Sequence, residues 1–305
     1  YYLDADVMVK AHLAVAERFE IDQVSSISDP WREADAFGME IDYPEEGVGI
    51  PRAMLIQSHD DVAALKAPDP RRATRTADRI EAVRRFVKEV GGQKSVLGWV
   101  EGPIAEYTDL RGLEDAILDL MDDPSVFERA AEVLVDHAIE FARAQIEEGA
   151  DMIGVGDAAA SVIGPDLYQQ HVLPHEQRLF EAIREMGAVV RLHICGDTGP
   201  IVRHMARSGA DILDIDWMVD LAQARRDAGD DLTLCGNFDP SAVLLRGDPD
   251  RVAAAARQCL KDGGQRFCLM PGCEVPPDTP EANIAAFCPG DGCRITDELA
   301  EAARA

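Results

Sequence analysis

The sequence has few basic residues, and this shortage argues against several classes of protein. Its 305 residues include 30 lysines and arginines against 57 aspartates and glutamates, which gives a formal net charge of −27. A charge of this sign repels nucleic acids and anionic membranes, so we expect no nucleic acid and no membrane as a partner. It fits a very soluble or salt-adapted protein, or one that attracts a basic partner.

Long apolar runs and a secretion-type cysteine framework are also missing. No stretch has the features of a signal peptide or a transmembrane span. The seven cysteines are an odd number and are scattered, which is typical of a protein in the reducing cytoplasm, where a thiolate metal site survives. The first residues enter a helical pattern with no Met, so we expect residues 1–305 to be one domain whose natural N-terminal segment is missing.

The chain contains a repeated alternation of short apolar strands and amphipathic helices. Seven such units are visible, and each strand is closed by Asp, Glu, Asn, His or Cys. This alternation at this length predicts an α/β fold, a (β/α)8 TIM barrel, in which the polar strand ends gather at one mouth. Residues 31–70, rich in Gly and Pro, are predicted to be a long irregular excursion near that mouth.

One of these strand ends predicts a metal site. The stretch 189–200, VVRLHICGDTGP, is an apolar strand that breaks at Gly196, and it places His193 and Cys195 two residues apart on one face of the strand. A second strand, 267–271, ends at a Pro-Gly break just before Cys273. One His and two Cys leave a fourth tetrahedral position open, as in catalytic zinc sites, and two thiolates favour a thiol as the metal's substrate.

The spacing alone leaves alternatives open. His193 and Cys195 also fit a packed polar strand edge with a structural cysteine. Cys268 and Cys235 are other candidates for the third ligand, although Cys268 lies in mid-strand whereas Cys273 follows the break. Cys288 and Cys293 form a late pair on a turn, which we interpret as incidental thiols rather than as a separate ion site.

Further polar residues close the other strands and are expected at the same mouth. Asp29, Glu101 and Asp157 are predicted to be catalytic: Glu101, Asp157 or Glu274 would orient His193 or act as an exchangeable fourth ligand, and Asp29 would hold the substrate. Asn237 and Asp197 are predicted to bind substrate or cofactor. Each of them equally fits the role of a strand-end cap or turn residue.

With these residues placed, the chain resembles the uroporphyrinogen decarboxylase superfamily, and within it the corrinoid-dependent branch typified by methylcobalamin:coenzyme M methyltransferases. The likeness covers nearly the whole chain, and the order and spacing of its motifs are more specific than any one of them. The motifs are Ile27-Ser28-Asp29, Phe37-Gly38-Met39-Glu40, His193-Ile194-Cys195-Gly196-Asp197, Gly236-Asn237-Phe238-Asp239-Pro240, Gly272-Cys273-Glu274-Val275-Pro276 and Thr279-Pro280-Glu281-Ala282-Asn283-Ile284.

The resemblance implies a TIM barrel that holds zinc through His193, Cys195 and Cys273. It also implies a corrinoid cofactor (methylcobalamin) presented by a partner corrinoid protein. The expected reaction is methyl transfer between that corrinoid and a thiol, a folate or a methylated small molecule, in a direction that the sequence does not choose.

Two rival functions remain at this stage. A metal-independent decarboxylase of a tetrapyrrole would use Asp29 to balance positive charge on a pyrrole, but such decarboxylases lack the His-x-Cys pair. A corrinoid carrier or scaffold would use the barrel for docking only, yet the sequence has no Asp-x-His-x-x-Gly corrinoid-binding motif. Zinc content separates the first rival from the methyltransferase.

Overall fold

The strands of this protein are short and apolar, and in the computed structural model they form one large sheet. The structure describes residues 1–302. Its strands are β1 (Gln23–Ser25), β2 (Ile41–Asp42), β3 (Ile50–Pro51), β4 (Ser95–Glu101), β5 (Met152–Gly156), β6 (Val189–Ile194), β7 (Ile212–Ile215), β8 (Thr233–Phe238) and β9 (Phe267–Pro271).

Helices separate most of these strands, because each strand of a parallel sheet needs a crossover before the next one. The α-helices are α1 (Ala5–Arg18), α2 (Trp31–Ala36), α3 (His59–Ala64), α4 (Thr74–Val90), α5 (Pro103–Arg111), α6 (Leu113–Asp122), α7 (Pro124–Glu147), α8 (Pro165–Leu167), α9 (Leu173–Glu185), α10 (Val202–Met205), α11 (Leu221–Ala228), α12 (Pro249–Gly263), α13 (Glu281–Ala285) and α14 (Thr296–Ala302). Short turns of 3₁₀-helix (Ala158–Ser161, Gly199–Ile201) and of π-helix (Tyr168–Val172, Pro240–Leu245) lie between them.

The main sheet confirms the predicted α/β class and its parallel strands. It has seven strands in the order β1-β4-β5-β6-β7-β8-β9, and every pair is parallel. The sheet is curled as in a barrel, with seven strands where eight were expected. Within residues 1–302 no ladder joins β9 to β1. Ala285, at the end of α13, and Cys288, just after it, bury against Phe19, which precedes β1.

Side chains alternate between the helices and the inside of the curled sheet. Val190, Leu192 and Ile194 of β6 are fully buried under the helices, whereas Arg191 and His193 point inward and are partly buried. Apolar residues on the helix side bury the large core, as expected for a sheet covered by helices. Any polar residue at an inward position therefore faces the space that leads to the mouth.

The excursion at 31–70 is more regular than predicted. It contains α2, the antiparallel pair β2–β3 and α3. The Trp31 indole N–H donates to the Gly49 carbonyl (2.8 Å), and Tyr43 donates to Asp29, which follows β1 (3.3 Å). The segment thus lies next to the carboxyl end of β1. Among the described helices we find none with the length and apolar character that a bilayer crossing requires.

Candidate metal centre and the carboxylates around it

Two strand ends bring His193, Cys195 and Cys273 together. His193 is the last inward residue of β6, and Cys195 follows the strand on the same side. After β9, the chain passes so close to the backbone of Trp217 that a Cβ on Gly272 would lie 2.3 Å from the Trp217 nitrogen. A glycine is needed at that point, and it lets Cys273 approach the β6 terminus.

The three donor atoms form a triangle of the size that a metal ion requires. The Cys195 and Cys273 sulfurs are 3.8 Å apart, and His193 Nε2 lies 3.1 Å from the first and 3.9 Å from the second. Tetrahedral zinc with ordinary bond lengths would set the sulfurs about 3.8 Å apart and each nitrogen–sulfur pair about 3.5 Å apart. The residues present therefore fit zinc. No other group of three such residues gathers as closely in residues 1–302.

The other nitrogen of His193 faces an acid at an inward position of β7. Asp214 pairs with His193 in the strand register, and its Oδ2 lies 3.4 Å from His193 Nδ1. Arg191 also binds that oxygen, at 3.1 Å through Nε. Burial by itself lowers the pKa of His193, but the Asp214 carboxylate and then Cys273 raise it to about 10. Such a carboxylate fixes a metal-binding imidazole by holding its second nitrogen.

The pKa values of the two thiols shift in opposite directions. Hydrogen bonding from Cys195 and then from His193 lowers the pKa of Cys273 to about 4, whereas the bond to Cys273 and burial raise the pKa of Cys195. Two adjacent thiolates repel each other, so ionisation of one thiol opposes ionisation of the other. A cation placed between them would remove that conflict.

Beside this centre lies a group of buried and partly buried carboxyls near one guanidinium, which we call the carboxylate cluster. Its carboxyls are Glu33 of α2, Glu101 of β4, and Glu106 and Asp109 of α5, and its guanidinium is Arg32 of α2. Arg32 is 1% exposed and pairs with Glu101 and Glu33. Burial raises the pKa of Glu101 to about 7, against the opposing charge of Arg32.

Two members of the cluster, Glu106 and Asp109, form no ion pair with an arginine or lysine of residues 1–302. Both carboxyl oxygens of Glu106 are buried and have no hydrogen-bond partner. Burial, followed by the neighbouring carboxylates, raises the pKa of Glu106 and of Asp109 well above the usual range. These two carboxyls therefore favour the protonated form more than exposed carboxyls do.

Asp29 follows β1 and is buried, and its carboxylate is already paired. It accepts hydrogen bonds from Arg75, Tyr43 and the Trp31 backbone. Burial raises its pKa, but the bond and charge of Arg75 outweigh this and hold the pKa below its usual value. Asp29 is thus an ionised group that is neutralised by a buried arginine.

Asp157 is also at a strand end, where it is turned away from the mouth. It is fully buried, accepts a hydrogen bond from the Ala105 backbone at the start of α5 (2.7 Å), and faces Glu176. Tyr168 donates to Glu176 (2.5 Å). Burial and then Glu176 raise the pKa of Asp157. Its proposed catalytic role stays a prediction, and its contacts are those of a residue that anchors α5.

The other predicted site residues also make local contacts. Asn237 donates to the carbonyls of Asp216 (3.2 Å) and Val219 (2.8 Å), which holds the loop after β7. Asp197 is exposed and accepts from the Gly199 backbone (3.1 Å). Glu274 is exposed next to Cys273. No carboxylate of the described residues joins the three-ligand group, and the binding roles of Asn237 and Asp197 stay predictions.

The alternative cysteines lie elsewhere. Cys235 and Cys268 face each other in the register of β8 and β9, below the strand ends, and neither belongs to the three-ligand group. Cys288 is buried beside α13 and Cys293 is partly buried. All seven are free thiols.

Sequence reasoning missed Asp214, Arg75 and most of the carboxylate cluster. Asp214 had a usable signal, because a charged residue inside an otherwise apolar strand must face a partner within the sheet. The cluster had none: Glu33, Glu106 and Asp109 are acids on helices, where acids usually face water. Their burial follows from how α2 and α5 pack on β4.

Comparison with known proteins adds a family to this geometry. The family model described as uroporphyrinogen decarboxylase matches residues 1–289. The chain is 31% identical over 293 residues to a uroporphyrinogen decarboxylase of a Nostoc species, covering 92% of this chain and 81% of that protein.

Methyltransferases are equally similar. The chain is 31% identical over 211 residues to a methylcobamide:CoM methyltransferase (MtaA) of Methanosarcina barkeri, covering 68% of this chain and 61% of that protein. A solved methyltransferase from Methanosarcina mazei superimposes with a TM-score of 0.86 at 26% identity, covering 93% of this chain and 84% of that one. Overall identity therefore does not separate the two activities, and the site has to do so.

Proposed function

The chain belongs to the uroporphyrinogen decarboxylase family, in which the proteins it resembles are enzymes, and we propose that it is a zinc-dependent methyltransferase. In this proposal it moves a methyl group between a corrinoid on a partner protein and a thiol, a folate or a methylated small molecule. Similarity to methylcobamide:CoM methyltransferases supports the corrinoid and its partner.

The observation that carries the proposal is the triangle of His193, Cys195 and Cys273. One imidazole and two sulfurs within bonding distance of a common centre suit zinc with a free fourth position. The soft sulfur donors favour binding of a thiol over formation of hydroxide. A decarboxylase without a metal has no evident use for this arrangement.

The chain's own residues give the centre its orientation. Asp214 holds His193 by Nδ1 and leaves Nε2 toward the two sulfurs. Arg191 keeps Asp214 ionised, since its charge offsets the cost of burying that carboxylate. Bound zinc would lower the pKa of a thiol substrate so that its thiolate form could attack a methyl group, or would act as a Lewis acid on the heteroatom of a methylated donor. The excursion at 31–70 would form part of the wall around the substrate.

The decarboxylase alternative is weakened by Asp29. That activity would use the negative charge of Asp29 to stabilise a cationic pyrrole. In this structure the charge is already balanced by the buried guanidinium of Arg75. A paired carboxylate stabilises a developing positive charge less than a free one does.

The test is the metal content of purified protein together with one pair of variants. We expect about one zinc per wild-type chain, and Cys273→Ala should lose both the metal and methyl transfer from methylcobalamin to a thiol. Cys268→Ala, on the strand that leads to the same site, is the matched control and should keep both. Full zinc occupancy in Cys273→Ala would refute the ligand assignment, and wild-type protein that binds no zinc would refute the function.

A further inference from the structure

Glu101 shares a layer of the sheet with the metal-binding histidine. In the register of neighbouring strands, Glu101 pairs with Gly156, and Gly156 pairs with His193. All three positions face inward, and adjacent strands are about 4.8 Å apart, so Glu101 and His193 are separated by about 10 Å of backbone. Only a glycine stands between them.

The glycine lets the carboxyl lean toward β6. A Cβ on Gly156 would lie 3.0 Å from Glu101 Oε2 and 2.9 Å from the Trp99 ring, and one on Gly154 would lie 2.2 Å from that ring. The two inward glycines of β5 thus make room for Trp99 and Glu101. The side chain of Glu101 keeps 11% exposure, whereas Arg32 behind it keeps 1%. Glu101 is therefore the member of the carboxylate cluster that reaches the inner space.

Behind Glu101, the cluster has more acid than base. Arg32 pairs with Glu101 and Glu33, no arginine or lysine of residues 1–302 forms an ion pair with Glu106 or Asp109, and the nearby charge of Asp29 is taken by Arg75. A buried carboxylate without a cation is costly, so a proton neutralises it more readily than it would an exposed one. Both oxygens of Glu106 lack a hydrogen-bond partner and the residue is 3% exposed, so we assign a proton to this carboxyl.

We propose that Glu101 exchanges a proton with the heteroatom of a substrate held at the His193–Cys195–Cys273 centre, and that Glu106 and Asp109 retain that proton inside the protein. This inference rests on the proposed function and gives Glu101 a specific catalytic role in it. The charge of Arg32 keeps Glu101 able to ionise, and Glu106 and Asp109 oppose full ionisation of the group.

The step balances without any further reactant. When a thiol binds, its S–H bond breaks, the electron pair stays on sulfur, and the proton forms an O–H bond to an oxygen of Glu101. In the reverse direction, the Glu101 O–H bond breaks and the proton goes to the heteroatom that has lost its methyl group. No electrons are exchanged with the cluster in either direction.

The experiment counts protons during thiol binding. Zinc-loaded protein without corrinoid is titrated with 2-mercaptoethanol near neutral pH by calorimetry, in two buffers of different ionisation enthalpy. Wild type should release well under one proton per thiol bound, since Glu101 takes it up. Glu101→Gln should release about one proton, and Glu17→Gln, an exposed glutamate on α1, should behave as wild type.

Infrared spectroscopy of the protein alone supplies a second readout, whose wild-type measurement does not depend on the folding of any variant. Wild type should show the carbonyl band of protonated carboxyl groups at neutral pH, and Glu106→Gln should weaken it. Absence of the band in wild type, or equal proton release by wild type and Glu101→Gln, overturns the role of Glu101 while leaving the methyltransferase intact. Zinc-loaded wild type that takes up no thiol refutes the thiol-dependent form of the proposed function.

Discussion

The metal-ligand triangle and the carboxylate cluster lie on neighbouring parts of the same sheet and solve opposite electrostatic problems. The triangle brings two sulfurs and an imidazole to strand ends, where a cation from solution can reach them. The cluster encloses four carboxyls between β4, α2 and α5 with a single guanidinium. In the proposed function the first region gains stability from a metal ion, whereas the second pairs two of its carboxyls with a buried arginine.

The comparison shows how position decides which counter-charge a buried anion receives. A group at a strand end is open to solvent-borne ligands, so its charge can be met by a substrate or a metal. A group between helices is cut off, and its charge must be met by the chain itself. Glu101 belongs to both settings, because it ends a strand and contacts Arg32.

The largest effect should come from removing the internal cation. Arg32→Met would leave the cluster carboxyls without their only guanidinium, and breaking a buried ion pair in this way costs about 3–5 kcal/mol. Urea denaturation at neutral pH measures the loss. Arg52→Met is the matched control, since Arg52 pairs with Glu40 and Asp42 on the exposed hairpin, and exposed pairs contribute about 0–1 kcal/mol. Similar losses in the two variants would contradict a buried, cation-dependent cluster.

A smaller effect should follow from removing the charge of Asp214 next to His193. Asp214→Asn keeps the shape of the residue that holds His193 Nδ1 but removes its charge. Losing such an orienting carboxylate lowers metal affinity about 10–100-fold. Competition with a chromophoric chelator measures zinc affinity directly. Asp231→Asn, an exposed position just before β8, should leave the affinity unchanged, and an unchanged affinity in Asp214→Asn would show that His193 does not depend on Asp214.

The metal side was largely predictable because its residues occupy strand ends. A strand that breaks at Gly196 fixes the direction of His193 and Cys195, and the Pro-Gly break before Cys273 distinguishes it from Cys268. The same reasoning placed Asp157 and Asn237 at strand ends, but it could not give their side-chain contacts. Those contacts are with the α5 backbone and with the loop after β7, which depend on packing between distant parts of the chain.

The sequence pattern could not predict the carboxylate cluster or the number of strands in the main sheet. Arg32, Glu33 and Glu106 are charged residues on short helices, a composition that usually indicates solvent-facing surface. Likewise, the alternation of seven strands suggested an eighth, whereas the main sheet of residues 1–302 has seven. Periodicity reports which face of an element is apolar, and it does not report which elements meet.

The smallest expected effect concerns the pH dependence of stability. Glu106 faces Glu33 and Arg32 of α2, Glu101 of β4 and Asp109 of α5, and its pKa in the folded protein is raised well above 4.5, chiefly by burial. The folded state therefore keeps a proton that the unfolded chain releases, so stability falls as pH rises above the unfolded pKa. The slope is at most about 1.4 kcal/mol per pH unit for one such group.

Glu106→Gln removes this titration and keeps the size of the side chain. We expect its free energy of unfolding to fall less than that of wild type between mildly acidic and mildly alkaline pH, so that the variant gains on wild type as pH rises. Urea denaturation across that range measures both slopes, and Glu17→Gln should follow wild type. Parallel curves of unfolding free energy against pH for wild type and Glu106→Gln would mean that Glu106 is ionised in the folded protein. The cluster would then need a second cation, and the contrast between the two regions would disappear.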